Sequence, residues 1–305
     1  MSSDQSRFDP PNRHWYEDLP ESRTAFGPDI DSPTLGDEIN AVNETYLEMS
    51  RVGNVIRGGL LMTGTVGLLF FIWMMMVLIR AGIGPNAALI FPIISWSVIA
   101  IGTTFSVSCI VLDCSIPRDM PVRFDRSDSK VYVYDYPVRL MPFPPRRAQM
   151  KTFSWHDVEA EITKQSGYNG KAYVTRYALV LVICKPGTNE VIDRLTLKGN
   201  DVTLRGLQAM WNYIRRYMIE GVVNLPPAQP RVRGISLRRS VFTYMPYFDP
   251  SVEGTHFRDR MGVIDWLLAL LMMWFFWIWL PMGLCHYIAM KCAPEPQWPA
   301  EMDAR

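Results

Sequence analysis

Cysteine and histidine are too few and too scattered to suggest a metal centre. The five cysteines (Cys109, Cys114, Cys184, Cys285 and Cys292) form no CxxC pair, and the four histidines (His14, His156, His256 and His286) stand in no HExxH. An odd cysteine count without a framework argues against a disulfide-built extracellular domain. GxGxxG, GxxxxGK[ST] and GxSxG are also missing, and Gly167–Tyr168–Asn169–Gly170 reads as a turn and not a phosphate loop. His156 beside Asp157 is the one acid–base neighbour pair. Adjacent strand residues point to opposite faces, so it reads as a surface histidine. No cofactor, no metal and no catalytic residue is expected. The chain also lacks a basic start followed by an apolar stretch and a cleavage site, a glycine after Met1, and a CaaX ending; neither a signal peptide nor a common lipid anchor is expected.

What the sequence does have is charge-free apolar length. Between Arg57 and Arg80 stand 22 uncharged residues, and between Arg80 and Asp113 another 32. A bilayer core needs about 20 apolar residues per helix, so the first run is one span and the second is one span plus a turn at Gly82, Gly84, Pro85 and Asn86. Backbone in hydrocarbon must satisfy its own hydrogen bonds, and helices do so locally. Residues 58–112 therefore predict a transmembrane helical hairpin. Small residues recur at Gly59, Thr63 and Gly67 in the first run and at Ala100, Thr104 and Ser108 in the second. Such stripes let helix backbones approach closely, and they are the candidate helix-packing faces, with self-association as the alternative. Pro92 either starts the second helix or kinks it. Residues 266–290 form a third apolar run with Pro281 as the expected bend. It either crosses as a third transmembrane helix or lies partly in the interface.

Charge is segregated around these runs. Residues 1–57 hold 5 Lys/Arg against 11 Asp/Glu, whereas residues 113–265 hold 23 against 16, so the total of +1 is a cancellation. Arginines flank one end of each span: Arg51 and Arg57, then Arg118, Arg123 and Arg126, then Arg258 and Arg260. The positive-inside rule places the N-terminal arm and the soluble domain in the cytoplasm, with the tail after Lys291 outward. Arg118, Arg123, Arg126, Arg258 and Arg260 are candidate membrane-surface contacts, each contributing about 1 kcal/mol near anionic headgroups. A solvated face and a dock for the acidic arm are the competing readings of this basic excess. It is too small, and too bare of reading motifs, for nucleic acid.

Outside the spans the patterns are mixed. The arm's prolines and aromatics (Phe8, Trp15, Tyr16, Phe26) suit either a solvated tail or a segment lying against another surface. Asp37–Arg57 spaces Ile39, Val42, Tyr46, Leu47 and Met49 as an amphipathic lead-in helix would. Residues 121–126 and 130–136 read as a β-hairpin turning at Ser127–Asp128–Ser129, and residues 141–147 are a proline-rich connection. Further strands are expected at 152–162, 171–184 and 191–197. Leu204, Leu207, Met210, Trp211, Ile214, Tyr217 and Met218 make one helical stripe, capped by Asp201 or Thr203 and by Gly221. About five strands closed by one helix is the simplest assembly. SVFTYMPYF (240–248) suggests one short strand more.

The segments PVRFDRSDSKVYVY, SWHDVEAEI, VIDRLTL and MWNYIRRYMIEG resemble a bacterial pleckstrin-homology-like domain of the membrane-inserted kind. Over about residues 40–225 the chain also resembles an uncharacterised family of bacterial inner-membrane proteins. These carry a transmembrane hairpin before such a domain and are often encoded near type VI secretion and toxin–immunity loci. The resemblance implies membrane α plus α+β architecture. Its parts are an acidic arm and lead-in helix (1–57), the hairpin (58–112), a pleckstrin-homology-like cytoplasmic domain (113–225), a Pro/Arg-rich linker (226–265), the third span (266–290) and a tail (291–305). It carries over no catalytic residues. The expectation is a non-enzymatic, multi-pass inner-membrane scaffold or adaptor whose partners are the lipid bilayer and a protein, with oligomeric state open. The alternative is an immunity protein that neutralises a secreted membrane-active toxin.

Overall fold

The computed structural model describes residues 5–24, 38–54, 57–81, 90–137, 148–168, 173–223, 225–226, 234–299 and 302. Its first departure from expectation comes before the hairpin. Strand β1 (Trp15–Asp18) makes the arm part of a sheet, not a solvated tail. The lead-in is not helical: β2 (Ile39–Val42) and β3 (Tyr46–Met49) form a β-hairpin. The cause is local. The Asn43 side chain accepts from the backbone N–H of Thr45 (3.0 Å) and Tyr46 (2.7 Å), an Asx turn that competes with helix. Leu47 and Met49 then point into the core and Glu48 outward.

After the apolar hairpin come β4 (Val122–Asp125) and β5 (Lys130–Asp135), turning at Ser127–Ser129 as expected, with Ser129 at φ 51°. Strand β6 (Gln149–Ser154) is followed by a short 3-10 turn, then β7 (Val158–Tyr168), β8 (Tyr173–Cys184) and β9 (Val191–Asp201). The proline-rich connection at 141–147 lies outside the described residues. The strands make two antiparallel sheets, ordered β2-β3-β4-β5-β6 and β1-β7-β8-β9, where about five strands were expected. β1, β2 and β3 are drawn from the segment before the hairpin, and one more strand arises because the 3-10 turn at Trp155–Asp157 splits the strand expected at 152–162 into β6 and β7.

Period-2 alternation turns one face of each sheet inward. Val122, Phe124, Val131 and Val133 meet Val158, Ala160, Ile162, Leu179 and Leu181 in a single core. Helix α3 (Leu204–Glu220) closes it with Leu207, Met210, Trp211, Ile214 and Tyr217. Trp155 joins the layers, its ring 6.0 Å from Phe124 and 5.6 Å from Trp211. At the start of this helix Thr203 holds the cap position without a side-chain cap bond, while Asp201 accepts from the Thr203 N–H (3.0 Å). Gly221 ends it at φ 82°.

The apolar hairpin consists of α1 (Gly59–Ala81) and α2 (Ile90–Ser115), two helices long and apolar enough to cross a membrane. It is inserted between β3 and β4, which are neighbours in the five-stranded sheet. The turn expected at 82–86 lies outside the described residues. Pro92 sits in the first turn of α2, so it starts the helix. The seam is rotated from the expected faces. A Cβ on Gly64 would lie 2.6 Å from the Ser106 carbonyl, and one on Gly102 would strike the Phe71 ring. Gly67 meets the Ser106 hydroxyl, and Ser108 is half-buried, but Thr63, Ala100 and Thr104 are exposed and Gly59 has open space. Small residues occur on two adjacent stripes of each helix, and bulk decides between them: Phe71 needs the notch at Gly102.

The C-terminal region departs most. Residues 240–248 contribute no strand: α4 (Leu237–Phe242), a 3-10 turn and α5 (Val252–Arg258) occupy this stretch. The third apolar run is not one straight span but α6 (Val263–Met273) and α7 (Phe276–Cys292), bent by 84°. The break falls at Trp274–Phe275, while Pro281 stays inside α7. At 1.5 Å per residue α6 is about 16 Å long and α7 about 25 Å, each short of a hydrocarbon core of about 30 Å. α7 also lies against polar chain. Gly283 abuts the backbone of Val241 in α4, beside Arg238 and Arg239, and Phe248 stacks on Trp279 at 5.7 Å. Residues 292–299 of the tail are not turned away from the domain. Trp298 lies on the outer face of the five-stranded sheet, on the domain's side of the hairpin.

Candidate functional site

The outer face of the five-stranded sheet carries a buried cluster of charge where the apolar hairpin leaves the domain. Glu48 and Arg123 are direct cross-strand partners on β3 and β4. Arg123 donates through Nη2 (2.9 Å) and Nε (3.2 Å) to Glu48 Oε2, and only 4% and 6% of the two side chains remain exposed. The guanidinium lies 4.1 Å from the Tyr46 ring centre and 4.7 Å from that of Trp298, a cation held between two aromatic faces. The Trp298 indole N–H donates to the same Glu48 oxygen (3.0 Å), so the tail closes over the pair. Asn40 bridges Glu48 and Asp119.

Two more arginines of the cluster, Arg57 and Arg118, terminate helices. The last carbonyls of a helix have no partner within it, and a cation there also meets the negative end of the dipole. Arg57 donates to the carbonyls of Asp113 (3.0 Å), Ile116 (3.0 Å) and Pro117 at the end of α2. In return the Asp113 carboxylate accepts the Leu61 N–H (2.8 Å) in the first turn of α1. Each end of the hairpin is capped from the other. Arg118 does the same for α7, donating to Met290 O (2.8 Å) and Lys291 O (3.3 Å) while pairing with Glu295. Arg51 ties the end of β3 to the connection between α2 and β4 and to β5, donating to Asp119, Met120 O (2.5 Å) and Tyr134 O (2.7 Å). Burial pulls the Arg51 and Arg57 guanidinium groups below the ordinary arginine range, and nearby aspartates restore part of the shift.

Gly58 makes this junction possible. Its φ is 83°, and a Cβ there would lie 2.5 Å from the His286 backbone nitrogen of α7. Hairpin, bent pair and sheet thus meet within one turn of chain. A cleft of about 420 Å³ remains between tail and sheet, lined by Asn40, Tyr46, Glu48, Arg118, Arg123 and Trp298.

The matched family covers residues 99–305, from within α2 to the end of the tail, and is described as a family of unknown function. The chain belongs to DUF6708. No curated protein and no solved structure matches it. The DUF6708 segment supplies Arg118, Arg123 and Trp298 to the cluster, while Glu48, Arg51 and Arg57 come from the chain before it.

The five candidate surface arginines thus have different fates. Arg123 is buried under Trp298, and Arg118 holds the end of α7. Arg258 donates to Tyr247 O (3.1 Å), Asp249 O (2.6 Å) and Thr255, pinning its own segment. Arg126 and Arg260 are exposed. Sequence reasoning had no role for Glu48, Asp113, Asp119 or Trp298. Asp113 and Arg57 did carry a signal, since they bracket the uncharged runs at the two feet of the hairpin. Trp298 carried none. His156 is exposed, and among the described residues no three His, Cys, Asp or Glu side chains are grouped to hold a metal.

Proposed function

We propose that this DUF6708 protein is an integral inner-membrane scaffold, its folded domain and N-terminus cytoplasmic, which binds a protein partner or lipid and performs no catalysis. The insertion of the hairpin between two adjacent strands, sealed by reciprocal helix caps, carries this reading. Such a joint couples the domain and the helices mechanically, through the reciprocal bonds of Arg57 and Asp113. The exposed apolar surface of α1 and α2, including Leu69, Trp73 and Ile101, calls for lipid around it. Two antiparallel sheets closed by α3 support the pleckstrin-homology-like assignment, and arginines at both feet of the hairpin support the orientation. The bent pair then enters the bilayer with α6 and returns with α7 to the domain's side.

Fractionation and affinity purification test this. The chain should stay with membranes after a high-salt wash, leave only in detergent, and co-purify with a defined complex from growing cells. Recovery in the soluble fraction would remove the proposal. A deletion phenotype seen only when a membrane-active toxin is delivered would replace the scaffold with the immunity reading.

A further inference from the structure

The junction of α5 and α6 holds a cavity of about 520 Å³ that the function above does not use. Phe257, Met261, Leu268 and Ala269 make its wall largely apolar, Tyr247 and His256 add polar edges, and Arg260 and Asp265 stand in the same lining. Arg260 is exposed, and among the described residues its guanidinium has no partner. Asp265 accepts the Gly262 N–H at 2.9 Å and forms no ion pair with Arg260. Cation and anion therefore line one cavity without neutralising each other.

The depth of this cavity follows from its two helices. α5 is polar and carries His256 and Arg258 in its last turn. α6 is apolar nearly all round: Leu267, Leu268 and Met273, spread about its axis, are 63%, 52% and 52% exposed. Such a helix is stable only in hydrocarbon, and its polar neighbour only in water. Their junction sits where phosphates lie. A ligand here meets Arg260 with an anion, Asp265 with a cation, and Leu268 and Ala269 with hydrocarbon.

We infer that this cavity is a binding site for a zwitterionic glycerophospholipid bearing a primary ammonium, its phosphate on Arg260, its ammonium on Asp265 and an acyl chain along Leu268 and Ala269. The inference rests on the membrane reading above. An anionic headgroup without an ammonium would leave Asp265 facing like charge, and a trimethylated one offers no N–H to its carboxylate.

The test uses the full chain, delipidated in detergent and exposed to equal amounts of phosphatidylethanolamine, phosphatidylglycerol and phosphatidylcholine, with bound lipid read by native mass spectrometry. Phosphatidylethanolamine should be retained at about tenfold lower concentration than either competitor; Asp265→Asn should erase that preference, and Arg260→Gln should weaken retention of all three lipids alike. Arg260→Lys should restore most of that retention. Equal retention of the three lipids overturns the inference, as does a preference that survives Asp265→Asn or a retention that Arg260→Gln leaves unchanged. If the variants do not fold, the wild-type comparison between the ethanolamine and choline lipids decides, because only the N–H donors differ. Displacement by soluble phosphoethanolamine at equal affinity would overturn the lipid source. A chain that needs no detergent at all defeats the membrane reading itself, whereas a detergent-requiring chain without lipid preference defeats only this site.

Discussion

Replacing Arg123 by methionine removes one half of the buried Glu48–Arg123 pair and keeps much of the volume. Removing one partner of a buried pair costs about 3–5 kcal/mol, because the other charge stays buried. Glu48 keeps the Trp298 indole N–H and the Asn40 amide as donors, which places Arg123→Met near the lower end, at about 3 kcal/mol. That is a large share of the roughly 5–15 kcal/mol typical of a folded domain. The double variant Arg123→Met with Glu48→Met should recover most of the loss, since an apolar pair of similar volume is often neutral or stabilising. Chemical unfolding of the detergent-solubilised chain, read by tryptophan fluorescence, gives all four corners of the cycle. A coupling of about 2 kcal/mol or more is expected; corners that add within about 0.5 kcal/mol would refute a buried, mutually dependent pair.

Gly64→Ala should loosen the α1–α2 seam by about 1–3 kcal/mol, because Ser106 and Ile110 leave no room for a methyl; Thr63→Leu, on an exposed position, should leave the thermal midpoint unchanged. The opposite pattern would restore the seam expected from the small-residue stripe. Burial is the main cause that raises the Glu159 and Glu161 carboxyls above their ordinary 4.5. The folded state then holds protons that the unfolded state releases, so their contribution to stability falls as pH rises from 4.5 through the raised value. The stability of wild type relative to Glu161→Gln should therefore decline with pH across that window in denaturation series; an increase would show a depressed carboxyl instead. Because the tail lies on the domain, Cys292 and a cysteine introduced at exposed Ser127 should react with an impermeant thiol reagent from the same side of sealed membranes. Reaction from opposite sides would break the tail contact. Trp298→Ala should free the tail to protease about tenfold faster, as expected for losing an aromatic anchor of roughly 1.5 kcal/mol, measured by the rate of C-terminal cleavage.

Much of the fold was legible where the signal is local. The β4–β5 hairpin shows its alternation and its turn, and α3 shows a complete apolar stripe with Gly221 beyond it. The lead-in was misread because Ile39, Val42, Tyr46 and Leu47 suit either period, and the Asn43 turn that settles the matter is a single residue. The arginines show the other limit. Their position beside apolar runs was visible, but a guanidinium near a helix end serves lipid phosphate and unpaired carbonyls equally well by charge alone.

By itself the sequence determined which stretches avoid water and how long they run, since transfer free energy belongs to the residues and needs no partner. It also determined the strands and the helix whose periodicity closes within a dozen residues. Only the tertiary structure decided that the segment before the hairpin completes both sheets, that the third apolar run folds back on itself, and that Trp298 covers Arg123. Those outcomes depend on which distant segment arrives beside a given face, and a buried charge takes its partner from whatever donor or acceptor the rest of the chain delivers there.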